Sequence, residues 1–318
     1  MARNKKTSES LFQFMNLLIA LLLKNGQLRT MQHYKATLNS YMRFRSDKDI
    51  SFKEIDAKEM QSYEAYLKNV AKVCNNTSSF YLRILRATYN KAVEKGYAIQ
   101  QNPFKDVYTG IAKTNKRAIP TESVSSIKRL DTIIALTPKQ ELARDTFMMC
   151  FYLRGISFID LAHLRKSDLK DGFISYTRSK TGQRISIRWE KDMQDIVDKY
   201  QAKTADSTYL FPFLASGTNS KNGTLQDKRQ DELRLFHNAE SRITYHLKKL
   251  GAKMGVTGKL TLYVARHTWA TTARDNQVPI SVISMALGHN SETTTQIYLR
   301  SIQSSEVDDA NAKILAAI

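Results

Sequence analysis

The chain has 318 residues, 42% of them hydrophobic, which excludes a disordered tail and leaves room for two domains with cores of their own. Lysine and arginine number 49 against 30 acidic residues, a formal charge of +19; such an excess serves solubility in some proteins, but across a whole globular chain it favours a polyanion such as nucleic acid. The two cysteines, Cys74 and Cys150, exclude a disulfide framework and a zinc cluster and fit a reducing cytoplasm.

At the start, Arg3, Lys5 and Lys6 precede the apolar run LLIALLL at 17–23. The run is too short to span a bilayer and no small-x-small cleavage pattern follows it. With Phe12, Phe14 and Met15 ahead of it, it reads as a buried helix. The first hundred residues look all-helical. Tyr34, Leu38, Tyr41 and Met42 recur at helical spacing, and DAKE at 56–59 is a capping-box pattern opening a helix with Met60, Tyr63 and Tyr66. A fourth helix, NNTSSFYLRILRATYNKAVEKG at 75–96, starts on cap-type residues, turns Leu82, Leu85 and Tyr89 inward and stops at Gly96. Arg83, Arg86 and Lys91 lie on its other face, which is either solvated or tracks DNA.

The stretch NPF at 102–104 ends this bundle, so residues 1–106 form an expected helical domain. Residues 107–120 read as a basic linker with Lys116 and Arg117 as DNA contacts, and residues 121–318 as a second domain. In that domain a long apolar helix runs through FMMCFYL at 147–153, and FISYTRSKTGQRISIRW at 173–189 reads as strand, turn and strand. Gly182 stands where the hairpin needs positive φ. Several helices follow.

The remaining signals are individually weak. Tyr298 is one of fifteen tyrosines, Lys180 sits in a hairpin turn, and Arg266-His267 interrupts an apolar helix, where a buried arginine needs a partner. Their order is more specific. ARHTWAT, then LGH with His289, then nine residues to Tyr298, resembles the catalytic half of the tyrosine recombinases, the phage-integrase family. SSFYLRILRATYNKAVEKGYAIQQNPF is similar to the family's core-binding domain, and KRAIPTESV to the start of its catalytic domain, so the resemblance spans the chain from about residue 8.

The resemblance implies a multidomain, mainly α protein: a helical SAM-like core-binding domain and a mixed α/β catalytic domain with a small sheet or hairpin, together clamping duplex DNA. It further implies Tyr298 as nucleophile, and Arg266, His267 and His289 as donors to the scissile phosphate. Lys180 becomes the acid for the departing 5′-oxygen, with burial making it a better one. The chemistry agrees, since charge building on non-bridging oxygens suits a planar, permanent cation such as Arg266. No carboxylate cluster for magnesium is visible, so metal-free transfer without a cofactor is expected.

Two positions depart from the family's pattern. In RGISFID, Arg154 stands where threonine is usual, Ser157 where the first catalytic arginine is usual, and Asp160 in the supporting acid's place. Tyr263 occupies the first-histidine slot. The combination resembles the Bacteroides-type branch of integrases from mobile elements. Ser157 also fits a helix N-cap with Asp160 at N3. Arg154 is the expected substitute for the missing charge, with Arg178 and Arg184 next, both also candidate DNA contacts.

The expected activity is therefore site-specific DNA recombination by a tetramer through a Holliday junction. The tail at 304–318, with Val307, Ile314, Leu315 and Ile318, is expected to dock on a neighbouring protomer, and an accessory DNA-bending protein is a further candidate partner. Bacterial cytoplasm with nucleoid association is the expected location. Integration, excision and inversion stay open. A type IB topoisomerase-like enzyme and a non-catalytic DNA-binding protein are the alternatives.

Overall fold

The computed structural model describes residues 10–112, 118–214, 225–256 and 258–299, with the side chains of 225–230, 297 and 298 outside the description. The chain forms two compact units that divide between Thr114 and Asn115. Lys116 and Arg117 and the tail at 304–318 lie outside the described residues.

The first unit is built from α1 (Leu11–Lys24), α2 (Leu28–Phe44), α3 (Ala57–Asn69) and α4 (Asn75–Glu94). Asp56 caps α3 by accepting from the Glu59 amide at 2.7 Å. The end of α4 is closed by paired turns: Tyr97 N–H donates to Ala92 O at 2.8 Å and Gly96 N–H to Val93 O at 2.9 Å, with Gly96 at φ 72°. The core holds Tyr41, Tyr63 and Tyr89, whose hydroxyls reach Glu59, Ser40 and the Ile99 carbonyl at 2.7–2.8 Å, so none of these three buried phenols is left unmet. Helix α1 corrects the expectation of a buried LLIALLL run: Leu18 is buried, but Leu17 and Leu21 are about half exposed. Residues 107–112 pack onto this unit, with Val107 buried and the Asn76 amide bonded both ways to Ala112.

In the second unit, the Ile119 amide donates to Thr268 Oγ1 at 3.1 Å. After α5 (Thr121–Lys128) and the single turn α6 (Leu130–Ile133) comes α7 (Pro138–Tyr152), started by a Thr137–Gln140 capping box with Pro138 at N1. Ala143, Phe147, Met148, Met149 and Cys150 make α7 the centre of the core. Its buried Arg144 is paired with Asp131 and Asp145 at 2.6 and 2.7 Å, and the Tyr200 hydroxyl donates to Asp145 at 2.9 Å. Short α8 (Phe158–Ala162) leads into the antiparallel sheet β1 (Leu169–Lys170), β2 (Phe173–Thr177) and β3 (Arg184–Arg188), ordered β1-β2-β3. In register, Ser175 faces Ser186 and Thr177 faces Arg184. The two-residue strand β1 is too short to leave an alternating pattern in the sequence, which shows only the hairpin of β2 and β3.

Helices α9 (Lys191–Lys199), α10 (Leu225–Lys253), α11 (Leu262–Asp275), α12 (Ile280–Leu287) and α13 (Glu292–Leu299) complete the unit, α10 and α11 packing on α7. Among the described residues no helix is long and apolar enough to cross a membrane.

Candidate active site

Helix α11 presents Ala265, Arg266, His267, Thr268 and Ala270 inward. Arg266 is only 5% exposed. Its Nη1 donates to Gly155 O at 2.7 Å, and its Nη2 to Leu287 O at 2.5 Å and to His289 Nε2 at 3.1 Å. One guanidinium thus ties together the end of α7, the end of α12 and the histidine just beyond it. A buried arginine so satisfied cannot swing away, and its plane is fixed before any ligand arrives.

The approach requires glycine at 155. Gly155 has φ +74°, and a Cβ there would stand 2.5 Å from Arg266 Cγ and 2.7 Å from its Cα. The preceding Arg154 also has positive φ, at 55°, and is half-buried; its side chain makes no hydrogen bond or ion pair among the described residues.

Gly288 is the second close approach. It ends α12 in the left-handed region at φ 63°, and a Cβ would meet Ile185 Cδ1 at 2.9 Å and Arg178 Cδ at 3.1 Å. Arg178 Nη1 donates to the Gly288 carbonyl, so the β2–β3 hairpin is strapped to the turn that carries His289. Arg178 is 8% exposed, nearly as buried as Arg266. Between 178 and 183 the hairpin closes with Arg178 N–H donating to Gln183 O and Gly182 N–H to Arg178 O, each at 2.8 Å, and Gly182 has φ 70°.

Asp160 joins the same hairpin to α8. Its buried carboxylate accepts from Ser157 Oγ at 2.6 Å and from the Ser179 amide at 2.9 Å. Ser157 is the N-cap of α8, as its capping-box pattern suggests. Beside it, burial and then the Asp160 carboxylate push the Tyr176 hydroxyl well above the usual tyrosine range, which keeps it a neutral donor. Asp160, Asp168, Ser175, Ser179 and Arg184 line a cleft of about 290 Å³ between these elements.

Lys180 lies at the hairpin tip and is exposed, because the turn projects beyond β2 and β3. Arg184 is likewise exposed. Tyr263 is 59% exposed while its neighbour His267 is buried, their rings edge-to-face with centroids 4.6 Å apart. His289 Nδ1 meets the buried Thr295 hydroxyl at 2.8 Å. Tyr298 stands on α13, its backbone within the helix and its side chain outside the described residues.

Of the basic face expected on α4, Arg86 is exposed and donates to Thr109 Oγ1 at 2.8 Å. Arg83 is half-buried, and Lys91 is exposed with its Nζ 5.6 Å from the Tyr34 ring centroid. Among the described residues no group of three or more His, Cys, Asp and Glu is placed to hold a metal ion.

From sequence, Gly155 and Gly288 read only as turn residues and Thr295 as one of three threonines. Their contacts with Arg266, Arg178 and His289 are long-range or cross-element, and only the glycines carry a local signal.

Two family descriptions match the chain. The phage integrase SAM-like domain matches residues 10–113 and the phage integrase family matches residues 126–304. The chain therefore belongs to the phage integrase family; it is a tyrosine recombinase, an enzyme of site-specific recombination. Among its relatives, the tyrosine recombinase XerC of Listeria welshimeri is 23% identical over 300 residues, covering 90% of this chain and 91% of the relative. The tyrosine recombinase XerA of Pyrococcus furiosus is 27% identical over 193 residues, covering 60% of this chain but only 59% of the relative. In fold, the chain is similar to the Tn1549 transposon integrase in complex with transposon right end DNA (TM-score 0.64, 14% identity, 96% and 99% of the two chains). A lambda integrase tetramer bound to a Holliday junction is also similar (TM-score 0.61, 16% identity, 92% and 78%).

Proposed function

We propose that this chain cleaves one DNA strand at a specific site by attack of Tyr298 on the phosphodiester. The phenol gives its proton to solvent water as its oxygen bonds to phosphorus, the bond to the 5′-oxygen breaks, and Lys180 protonates that oxygen. The 3′-phosphotyrosyl bond conserves the energy for rejoining, without a nucleotide cofactor. The observation that carries the reading is the convergence of Arg266, His289 and the helix of Tyr298: Arg266 Nη2 lies 3.1 Å from His289 Nε2, and His289 Nδ1 lies 2.8 Å from Thr295 on that helix. Arg266 neutralises the phosphate through paired donors, and His267, His289 and Tyr263 add hydrogen bonds.

Arg178 is the better candidate than Arg154 for the charge that Ser157 does not supply. The left-handed φ of Arg154 is a helix-stop device, since Ser46 after α2 and Gln277 after α11 adopt φ 50° and 59° at equivalent places. Arg178, by contrast, is anchored on the Gly288 carbonyl, next to the Leu287 carbonyl that anchors Arg266. Its remaining donors bond no described residue. The Ser157 and Tyr263 departures support membership of the Bacteroides-type branch. A homotetramer on synapsed DNA, assembled by exchange of the tail at 304–318, accords with the tetrameric lambda neighbour; an accessory DNA-bending protein and a nucleoid-associated, cytoplasmic setting complete the proposal.

The test is a pair of plasmids carrying DNA from either side of the gene, with a nicked suicide duplex from the same DNA. A covalent adduct together with recombination that requires two sites is expected. Relaxation without paired sites would favour a type IB topoisomerase-like enzyme, and binding with no adduct a non-catalytic DNA-binding protein.

A further inference from the structure

The His289 ring is gripped from both sides by groups of different character. Arginine can only donate, so at 3.1 Å from Arg266 Nη2 the His289 Nε2 is an acceptor. The proton of the neutral ring is then on Nδ1, which donates to Thr295 Oγ1 at 2.8 Å. That tautomer points the wrong way for the role proposed above, in which Nε2–H must donate to a phosphate oxygen. A hydroxyl solves the conflict, because it both donates and accepts.

We infer that Thr295 is a positioning residue for His289: its hydroxyl accepts from Nδ1–H while Arg266 holds Nε2, and donates to Nδ1 when Nε2–H turns to a phosphate. The ring proton leaves Nδ1 and one is taken up at Nε2 through solvent, so no net charge is created. If the ring instead gains a proton and donates from both nitrogens, the same hydroxyl remains an acceptor. Thr295 is 0% exposed and stands one turn before Tyr298 on α13 (Glu292–Leu299). Seating that helix therefore delivers the nucleophile's backbone and the partner of His289 in one event. Without α13 in place, the Thr295 hydroxyl is no longer held at Nδ1, while Arg266 keeps its acceptor.

This inference rests on the site reading above, and its test separates the two. Thr295→Val keeps the shape and removes the hydroxyl; Thr295→Ser keeps the hydroxyl. In ¹⁵N spectra of the DNA-free full chain, with His289 assigned by His289→Gln, wild type and Thr295→Ser should show the Nδ1–H tautomer, and Thr295→Val a mixture. On the nicked duplex, Thr295→Val should lose roughly ten- to a hundredfold in single-turnover cleavage at unchanged DNA affinity, by analogy with the loss when the partner that orients a metal-ligating imidazole is removed. Thr295→Ser should restore most of it. A wild-type His289 protonated on Nε2 without DNA would overturn the inference. So would Thr295→Val cleaving at the wild-type rate, or Thr295→Ser failing as badly as Val with the fold intact. If Thr295→Val does not fold, the wild-type and Ser spectra decide alone. A wild-type chain that forms no adduct would refute the site reading, while the tautomer measurement, which needs no DNA, still judges Thr295.

Discussion

Arg266 and Lys180 are proposed to act on different oxygens of one phosphodiester, and the fold treats them oppositely. Arg266 is buried and fixed by the Gly155 and Leu287 carbonyls, with Gly155 allowed no Cβ because the arginine's own backbone is in the way. Lys180 is exposed at a hairpin tip that is attached one residue to either side, through Ser179 on Asp160 and Thr181 with Arg178 on Gly288. The difference follows from the two tasks. Stabilising charge in a transition state is efficient only if donors are already oriented, whereas protonating a leaving group needs reach and a proton. The hairpin compromises by anchoring its base and leaving its tip in water.

The largest effect is expected on the fixed side. Arg266→Ala should reduce cleavage by roughly 10³, at the upper end for deleting a preorganised donor, and Arg266→Lys should recover little of it because a point charge cannot bridge two carbonyls and a phosphate. Single-turnover adduct formation measures this; a lysine variant within a few-fold of wild type would show that orientation is irrelevant there.

Next comes the boundary between the two halves. Arg178→Ala should cost about 10² in cleavage, while Arg154→Ala and Arg184→Ala should stay within a few-fold of wild type. The reverse ranking, with Arg154→Ala the damaging change, would return the missing charge to the end of α7.

On the exposed side, Lys180→Ala should slow cleavage by about 10², the lower end for general acid catalysis. A substrate with sulfur in place of the 5′-oxygen should restore the rate, since a thiolate leaves without a proton. Absence of rescue would remove Lys180 from that role and undo the contrast with Arg266.

The smallest change belongs to the first unit. Arg86→Ala should weaken DNA binding a few-fold for any sequence, lower the salt slope by about one unit and leave the cleavage step of bound DNA unchanged. A sequence-dependent loss would mean that Arg86 reads bases.

The parts of this site that are legible in the sequence are those whose signals are local. Arg266 and His267 adjacent in one helix, His289 after a helix-stopping glycine and Tyr298 nine residues on are separated by fixed turns, so order along the chain stands in for geometry. Ser157 is readable as a cap because Asp160 is three residues away. What stays hidden depends on contacts across the fold: Gly155 reaches Arg266 over 111 positions and Arg178 reaches Gly288 over 110. The same limit explains α1. An apolar run shows that burial is favourable, but not which of its faces finds a partner, and Leu17 and Leu21 are exposed.

The most direct test of the account is the chemical identity of the residue joined to DNA. After reaction with a nicked duplex, proteolysis and mass spectrometry should locate a nucleotide 3′-phosphate on Tyr298. Tyr298→Phe should yield no adduct while binding DNA with unchanged affinity, because the phenol oxygen adds little to a grip made by many phosphate contacts. An adduct on another residue, or one that persists in Tyr298→Phe, would contradict the assignment of Tyr298 as the nucleophile and with it the roles of Arg266, His289 and Lys180 around it.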